Sequence, residues 1–196
     1  LRTIQAQLTA IFAHAMKYYN LPKNPSSLAG TIGKEVPKEM QFWTKEEYLK
    51  FAEVMMDKPR SYYAFELLYW TGIRSGELLA LTPSDFDFEK QTLRINKTFH
   101  RSKGEDIITT PKTVKSNRII TLPPFLCDEI KDYLGMFYEI GESERMFSFT
   151  KSYLGHEMER GCKASGVKKI RIHDLRHSHV SLSKGYFWDS LSDCLR

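Results

Sequence analysis

The stretch that decides the interpretation of this sequence is Thr71-Gly72-Ile73-Arg74-Ser75-Gly76-Glu77-Leu78, which places an arginine on a glycine-flanked turn. A second stretch, His173-Asp174-Leu175-Arg176-His177, lies far downstream. Arginine keeps its proton in proteins, and its planar fork of donors fits phosphate oxygens. A nearby histidine can donate one more hydrogen bond or move a proton. Together the two stretches predict a pocket for a phosphate.

These two stretches, in this order, resemble the motifs of the tyrosine recombinase family, which includes the phage integrases. The family pattern has an arginine within T-G-hydrophobic-R-x-x-E-L-x-x-L and a later H-x-x-R. The resemblance extends from about Phe42 to Ser181. It implies that Arg74, His173 and Arg176 surround the scissile phosphate of DNA as catalytic residues. Three further positions match the first motif: Glu77, Leu78 and Leu81.

The second stretch also resembles the H-E-x-x-H helix of zinc proteases, with Asp174 in place of the glutamate and His179 as a third imidazole. Three features disfavour zinc. Arg176 would place a fixed positive charge beside the dication, aspartate is one methylene short for the usual base, and no separate third ligand stands at a recognisable spacing. We therefore expect neither a metal nor another cofactor.

Composition is consistent with a folded protein that binds a polyanion. The chain has 196 residues, of which 41% are hydrophobic and 27% charged, enough for one good core and a fragment of a second domain. A net charge of +5 favours, without proving, a nucleic-acid partner. Cys127, Cys162 and Cys194 are widely spaced and predict reduced thiols. With neither an apolar segment of membrane-spanning length nor a signal-peptide pattern, we expect a cytoplasmic protein without membrane contact.

The chain is predicted to contain three parts. Residues 1–21 have the apolar spacing of an amphipathic helix and are expected to be the C-terminal helix remnant of a helical core-binding domain. Residues 22–40 are rich in proline, serine, glycine and lysine and predict a linker. Residues 41–196 are expected to be a catalytic domain of integrase type that lacks its C-terminal end.

Local patterns predict a mainly α fold with a small three-stranded antiparallel sheet, an α+β arrangement like that of a tyrosine recombinase catalytic domain. A capping box at Thr44 and Glu47 opens a helix to about Asp57. Asp174 is expected to cap the helix that presents Arg176, with His173 at its mouth. The other predicted helices are Ser61–Trp70 before Gly72, Glu77–Leu81, Pro123–Tyr138 and Ser152–Ala164, and the predicted strands are Thr92–Thr98, Asp106–Thr110 and Arg118–Leu122.

Two lysines lie in the polar connection before the last predicted strand. In the family that the chain resembles, a lysine on a β-hairpin protonates the departing 5′-oxygen. The Pro-Lys-Thr context favours Lys112 for that role, with Lys115 second. For either lysine, a place in an ordinary solvated turn is an equally good interpretation. We expect Lys115 and Arg118 to contact the DNA.

The resemblance implies metal-independent phosphoryl transfer through a 3′-phosphotyrosine, and it is at the nucleophile that the chain departs from the family pattern. The pattern requires a Gly-His or Trp segment and then a tyrosine well beyond H-x-x-R. Tyr186 follows Arg176 too closely and is expected to be a packing or exposed aromatic residue, and Trp188 also comes too early. No nucleophile is assigned, so strand transfer is expected to be impaired.

The sequence therefore predicts a site-specific recombinase of a mobile genetic element, active in DNA integration and recombination. Its expected partner is double-stranded DNA, and a homo-oligomer on that DNA is an expected assembly. Two alternatives remain open at this point: a non-catalytic DNA-binding remnant of an integrase, and an unrelated basic helical protein in which both motifs are coincidental.

Overall fold

The structure of the protein, a computed structural model, describes residues 2–31, 40–110 and 117–182. Lys112, Lys115, Tyr186, Trp188 and Cys194 lie outside the described residues. The chain divides into two units, Leu1–Glu39 and Met40–Arg196. In the described part of both units, no helix combines the length and apolar character needed to cross a membrane.

The first unit is built from helix α1 (Arg2–Tyr18) and the short helix α2 (Pro25–Leu28). The Asn24 side chain accepts hydrogen bonds from the backbone amides of Ser26 and Ser27, and its amide donates to the Thr9 carbonyl at 3.0 Å. Thr9 and Ser26 also share a hydroxyl hydrogen bond of 2.9 Å. The segment predicted to be a linker therefore contains a helix that is attached to α1.

The second unit is mainly helical. Its helices are α3 (Lys45–Met55), α4 (Pro59–Thr71), α5 (Ser75–Leu78), α6 (Pro124–Gly135), α7 (Lys151–Ser165) and α8 (residues 174–182). The capping box predicted at Thr44 and Glu47 is present at the start of α3. The predicted helix Glu77–Leu81 is instead α5, which begins earlier and is only four residues long. Helix α6 ends three residues before Tyr138, at Gly135.

The described residues of the second unit also form five short strands: β1 (Phe86–Asp87), β2 (Thr92–Ile95), β3 (Thr98–Ser102), β4 (Glu105–Thr109) and β5 (Arg118–Thr121). A small antiparallel sheet is confirmed, but its membership differs from the prediction. Strands β1, β2 and β5 form the three-stranded sheet, with Ile95 opposite Arg118, while β3 and β4 form a separate hairpin. The predicted strand Thr92–Thr98 is thus broken at Asn96 and Lys97.

Lys97 lies at that break. Its ammonium lies 2.8 Å from the buried Asp85 carboxylate and donates to the Thr82 hydroxyl. Asp85 also accepts from the Thr82 backbone amide in the short 3-10 helix Pro83–Asp85. Lys97 thus keeps the inward side of the alternation set by Leu93 and Ile95, and the two strands are distinguished by their pairing: β2 pairs with β1 and β5, and β3 pairs with β4.

The core lies among α3, α4, α6 and α7 and is rich in aromatic side chains. Tyr48 of α3 stacks on Tyr69 of α4, with ring centroids 3.6 Å apart. Trp43 joins this core to α8, because its backbone amide donates to the Ser178 hydroxyl and its indole nitrogen donates to the Lys168 carbonyl. The core therefore fixes the position of the helix that carries Arg176.

One buried acid in this core makes the free energy of unfolding depend on pH. Glu66 of α4 is buried and accepts a hydrogen bond of 2.6 Å from the Tyr48 hydroxyl. Burial raises the pKa of Glu66 to about 7; the bond from Tyr48 lowers this pKa, and the charge of Glu129 raises it. The folded protein therefore holds a proton on Glu66 between pH 4.5 and 7 that the unfolded chain releases.

Replacing Glu66 with glutamine is expected to remove this pH dependence. As pH rises from about 4.5 to about 7, the free energy of unfolding of the wild type should fall relative to Glu66→Gln by up to about 3 kcal/mol. Urea unfolding at pH 5 and pH 8 measures the difference. The control is Glu53→Gln, which removes an exposed carboxylate of α3 instead of a buried one. Parallel pH profiles for wild type and Glu66→Gln would contradict the assignment.

Candidate phosphate site

The turn after α4 positions the first predicted arginine. Helix α4 is capped at its C-terminal end by Gly72, whose φ of 61° lies in the left-handed region that glycine adopts without strain. A Cβ atom on Gly72 would lie 2.7 Å from the ring of His179, so α8 packs directly against this turn. Arg74 follows as the N-cap residue of α5 and is exposed. The glycine therefore brings the arginine turn and α8 together.

Glu77 binds two arginines at once. Its side chain is only 5% exposed. It accepts hydrogen bonds from the Arg74 backbone amide and guanidinium, both at 2.9 Å. It also accepts two from the Arg118 guanidinium, at 3.1 and 2.8 Å. One buried carboxylate thereby fixes the Arg74 turn relative to the first residue of β5.

The electrostatics of Glu77 follow from these contacts. Burial raises the pKa of its carboxyl, but the hydrogen bonds from Arg118 and Arg74 outweigh burial and hold the pKa below its ordinary value. Glu77 is therefore ionised at neutral pH. It neutralises part of the positive charge around it while leaving the donors of Arg74 that do not face it available to a ligand.

Arg176 adds a third guanidinium from the other end of the sequence. Its Nη1 atom donates a 2.6 Å hydrogen bond to the Gly72 carbonyl. Burial lowers the pKa of Arg176, and the positive charges of Arg74 and Arg118 lower it further. The three arginines are thus close enough to repel one another. In the contacts given for residues 40–110 and 117–182, Glu77 is the carboxylate bonded to Arg74 and Arg118, and the mutual repulsion of the three arginines favours an anion beside them.

The start of α8 differs from its prediction in one respect. The Asp174 carboxylate does not cap the first backbone amides of α8. Instead it accepts hydrogen bonds from the backbone amide and the guanidinium of Arg171, which precedes the helix. The hydrogen bonds from Arg171 lower the pKa of Asp174. His173 lies exposed just before α8, and its backbone carbonyl accepts from the Arg176 amide. The ring of His173 meets that of His177 edge-on, with centroids 5.5 Å apart.

The structure thus brings Arg74, Arg118 and Arg176 together and places His173 at the start of the helix that carries Arg176. Arg118, which the sequence predicted as a DNA contact, directs its guanidinium to Glu77. Among residues 2–31, 40–110 and 117–182, no group of three histidine, cysteine or acidic side chains is arranged to hold a metal ion.

Sequence reasoning considered His179 only as a possible metal ligand and missed its place against the arginine turn. Its ring packs on Gly72, and burial lowers its pKa, although a hydrogen bond with the Tyr69 backbone acts in the opposite direction. One signal was available in the sequence. His179 follows Arg176 by three residues, and residues three apart on a helix lie on the same face. Only the position of α8 against the α4 turn shows what that face contacts.

Comparison with known proteins identifies the family. Residues 41–182 match the model of the phage integrase family. The ICEBs1 integrase of Bacillus subtilis (strain 168) is 30% identical over 199 residues, which cover 91% of this chain and 52% of the relative. The integrase of Staphylococcus phage L54a is 27% identical over 86% of this chain and 58% of its own length. The chain spans about half the length of the curated relatives that it matches.

Solved structures show the same fold. The Tn1549 transposon integrase, in complex with a circular intermediate DNA, matches 90% of this chain and 64% of its own chain with a TM-score of 0.75 and 20% identity. A lambda integrase dimer bound to a COC′ core site matches 92% of this chain and 65% of its own, with a TM-score of 0.61 and 19% identity. The fold, the two motifs that meet in it and the family match lead to one conclusion: this chain belongs to the phage integrase family.

Proposed function

We propose that this chain binds double-stranded DNA as part of a site-specific recombinase and holds the phosphate to be transferred between Arg74 and Arg176. The observation that carries the proposal is the meeting of these two arginines beside the buried Glu77. They come from distant parts of the sequence, and an excess of positive charge remains where they meet. A phosphodiester is the ligand whose charge and oxygen geometry fit such a group.

In the proposed reaction, these side chains act on the phosphorus centre through position and charge. Phosphoryl transfer accumulates charge on the non-bridging oxygens, which Arg74 and Arg176 would stabilise without a metal. His173 would donate a further hydrogen bond or assist proton transfer. We propose Lys112 as the acid that protonates the 5′-oxygen and Lys115 as a phosphate contact; both lie outside the described residues. The attacking tyrosine is not assigned to a position.

The similar proteins support DNA as the partner. The Tn1549 integrase was solved with a circular intermediate DNA and lambda integrase as a dimer on a core site. We therefore propose that this chain acts on duplex DNA, in the cytoplasm, and assembles there with further copies of itself. Within the chain, we propose that residues 1–21 are the last helix of a helical core-binding domain. Residues 22–40 would then be the linker, and the catalytic domain would start at residue 41.

Replacing the two arginines tests the proposal. Arg74→Ala and Arg176→Ala should each weaken binding to duplex DNA by about 10- to 100-fold, since each removes a charge-assisted contact of about 1.5–3 kcal/mol. Each should also reduce the dependence of log K on log salt concentration by about 0.9. Fluorescence anisotropy at several salt concentrations measures both, and circular dichroism checks that the variants are folded.

The control for these variants is Arg94→Ala. Arg94 is exposed on β2, and its guanidinium contacts the Ser84 carbonyl rather than Glu77, so its loss removes the same charge from another surface. It should change affinity only slightly. If all three variants bound DNA equally, the arginines would have no special role and the proposal would be wrong.

A further inference from the structure

A second cationic cavity lies between β3 and the start of α7. It has a volume of about 470 Å³ and is lined by Phe99, His100, Arg101, Thr150, Lys151 and Ser152. Three of these six side chains are basic types, and none is acidic. The cavity is open to solvent and is large enough for a phosphate group together with part of a sugar.

The cavity adjoins the arginine turn. A Cβ atom placed on Gly76 would lie 2.6 Å from the Thr98 hydroxyl, 3.0 Å from the Phe99 carbonyl and 3.6 Å from the Lys151 ammonium. Gly76 lies on α5 between Arg74 and Glu77, so β3 and Lys151 approach this turn closely because Gly76 has no side chain. The Lys151 ammonium is therefore a neighbour of the proposed phosphate site.

The charges around the cavity are only partly neutralised. Arg101 and Arg145 share the carboxylate of Asp106, at 3.5 and 3.0 Å. The guanidinium of Arg145 also lies over the Phe99 ring, 4.2 Å from its centroid. Among the ion pairs that the described residues form, none includes Lys151. Positive charge therefore exceeds negative charge here, and Lys151 is the cation that is placed to meet an anion.

We propose that this cavity binds a second phosphate of the same DNA strand, next to the phosphate held by Arg74 and Arg176, with Lys151 as its ligand. The inference rests on the proposed function. Phosphates of one strand recur about every 3.4 Å along the duplex axis, so a strand that enters one site presents its neighbouring phosphates to adjacent cations. The second contact fixes the direction in which the strand crosses the arginine turn.

The test is the salt dependence of DNA binding by Lys151→Gln in the full chain. The variant should bind any duplex sequence several-fold more weakly, and its plot of log K against log salt should be shallower by about 0.9 than that of the wild type. Lys151→Arg should restore the slope. Lys163 of the same helix already pairs with Glu159 at 2.9 Å, so Lys163→Gln is the matched control and should leave the slope unchanged.

The outcomes separate this inference from the proposed function. If Lys151→Gln kept the wild-type slope while Arg74→Ala reduced it, the second phosphate contact would be excluded and the first retained. If the wild type bound no DNA, or if Arg74→Ala and Arg176→Ala changed nothing, the proposed function would fall together with this inference. In the double variant Lys151→Gln/Arg74→Ala, the two slope changes should add, to about 1.8.

Discussion

Replacing Glu77 with alanine is expected to lower the free energy of unfolding by about 2–3 kcal/mol. The carboxylate accepts four hydrogen bonds from Arg74 and Arg118, so its removal leaves two guanidinium groups without their shared partner. Breaking a fully buried pair costs about 3–5 kcal/mol. We expect less here, because the Arg74 side chain is 52% exposed and that of Arg118 26%, and water partly compensates both.

The pH dependence of this effect has a definite sign. Since the pKa of Glu77 is lowered in the folded protein, its contribution is present above the unfolded value of 4.5 and disappears as pH falls through the folded pKa. Urea unfolding of wild type and Glu77→Ala at pH 7 and at a series of pH values below 4.5 measures it, and the difference between the two proteins should shrink as pH falls.

A matched variant separates this ion-pair cluster from ordinary surface charge. Glu159 pairs with Lys163 and Lys169, at 2.9 and 2.8 Å, but its side chain is exposed to solvent. Glu159→Ala removes the same charge and two ion pairs, and it should change stability far less than Glu77→Ala. Equal losses for the two variants would show that Glu77 does not organise the arginine turn.

Replacing Gly161 with alanine is expected to destabilise the protein by about 1–3 kcal/mol through a steric clash in the core. A Cβ atom at this position would lie 2.3 Å from Cε2 of Phe51 and 2.7 Å from the sulfur of Met55, and both side chains are fully buried. Helices α3 and α7 pack closely here because α7 carries a glycine. Neither helix can move away without disturbing the rest of the core.

Gly155 provides the control within the same helix. A Cβ atom there meets no atom within 4 Å, so Gly155→Ala should stabilise α7 by up to about 1 kcal/mol through helix propensity alone. Thermal or urea unfolding of the two variants should therefore give changes of opposite sign. If Gly161→Ala were as stable as Gly155→Ala, α3 and α7 would not approach each other as described.

Local signals predicted the helix boundaries better than the strands. Thr44 with Glu47, and Gly72 after α4, act within a few residues, and both function as predicted. The break between β2 and β3 was missed because the alternation of inward side chains continues across it, from Leu93 and Ile95 to Phe99. β1 was missed because two residues are too short to show a periodic pattern.

The candidate site was predictable to the same limited extent. Motif spacing identifies Arg74 and Arg176, and the separation of Arg74 from Glu77 permits a contact on one turn of helix. That Arg118 joins them depends on the register of β2 with β5, which places Arg118 opposite Ile95. Sequence alone does not specify that register, nor the approach of Lys151 to Gly76, which depends on how β3 packs against α5.

The most direct test of the central claim neutralises one DNA phosphate at a time. A series of duplexes carrying a single uncharged methylphosphonate linkage, moved stepwise through the recombination site, is titrated with wild type and with Arg74→Ala/Arg176→Ala. We predict one position where neutralisation weakens wild-type binding by about tenfold or more and leaves the double variant nearly unaffected, the signature of a direct contact. If every linkage cost both proteins the same affinity, the two arginines would not hold a phosphate and the account would be contradicted.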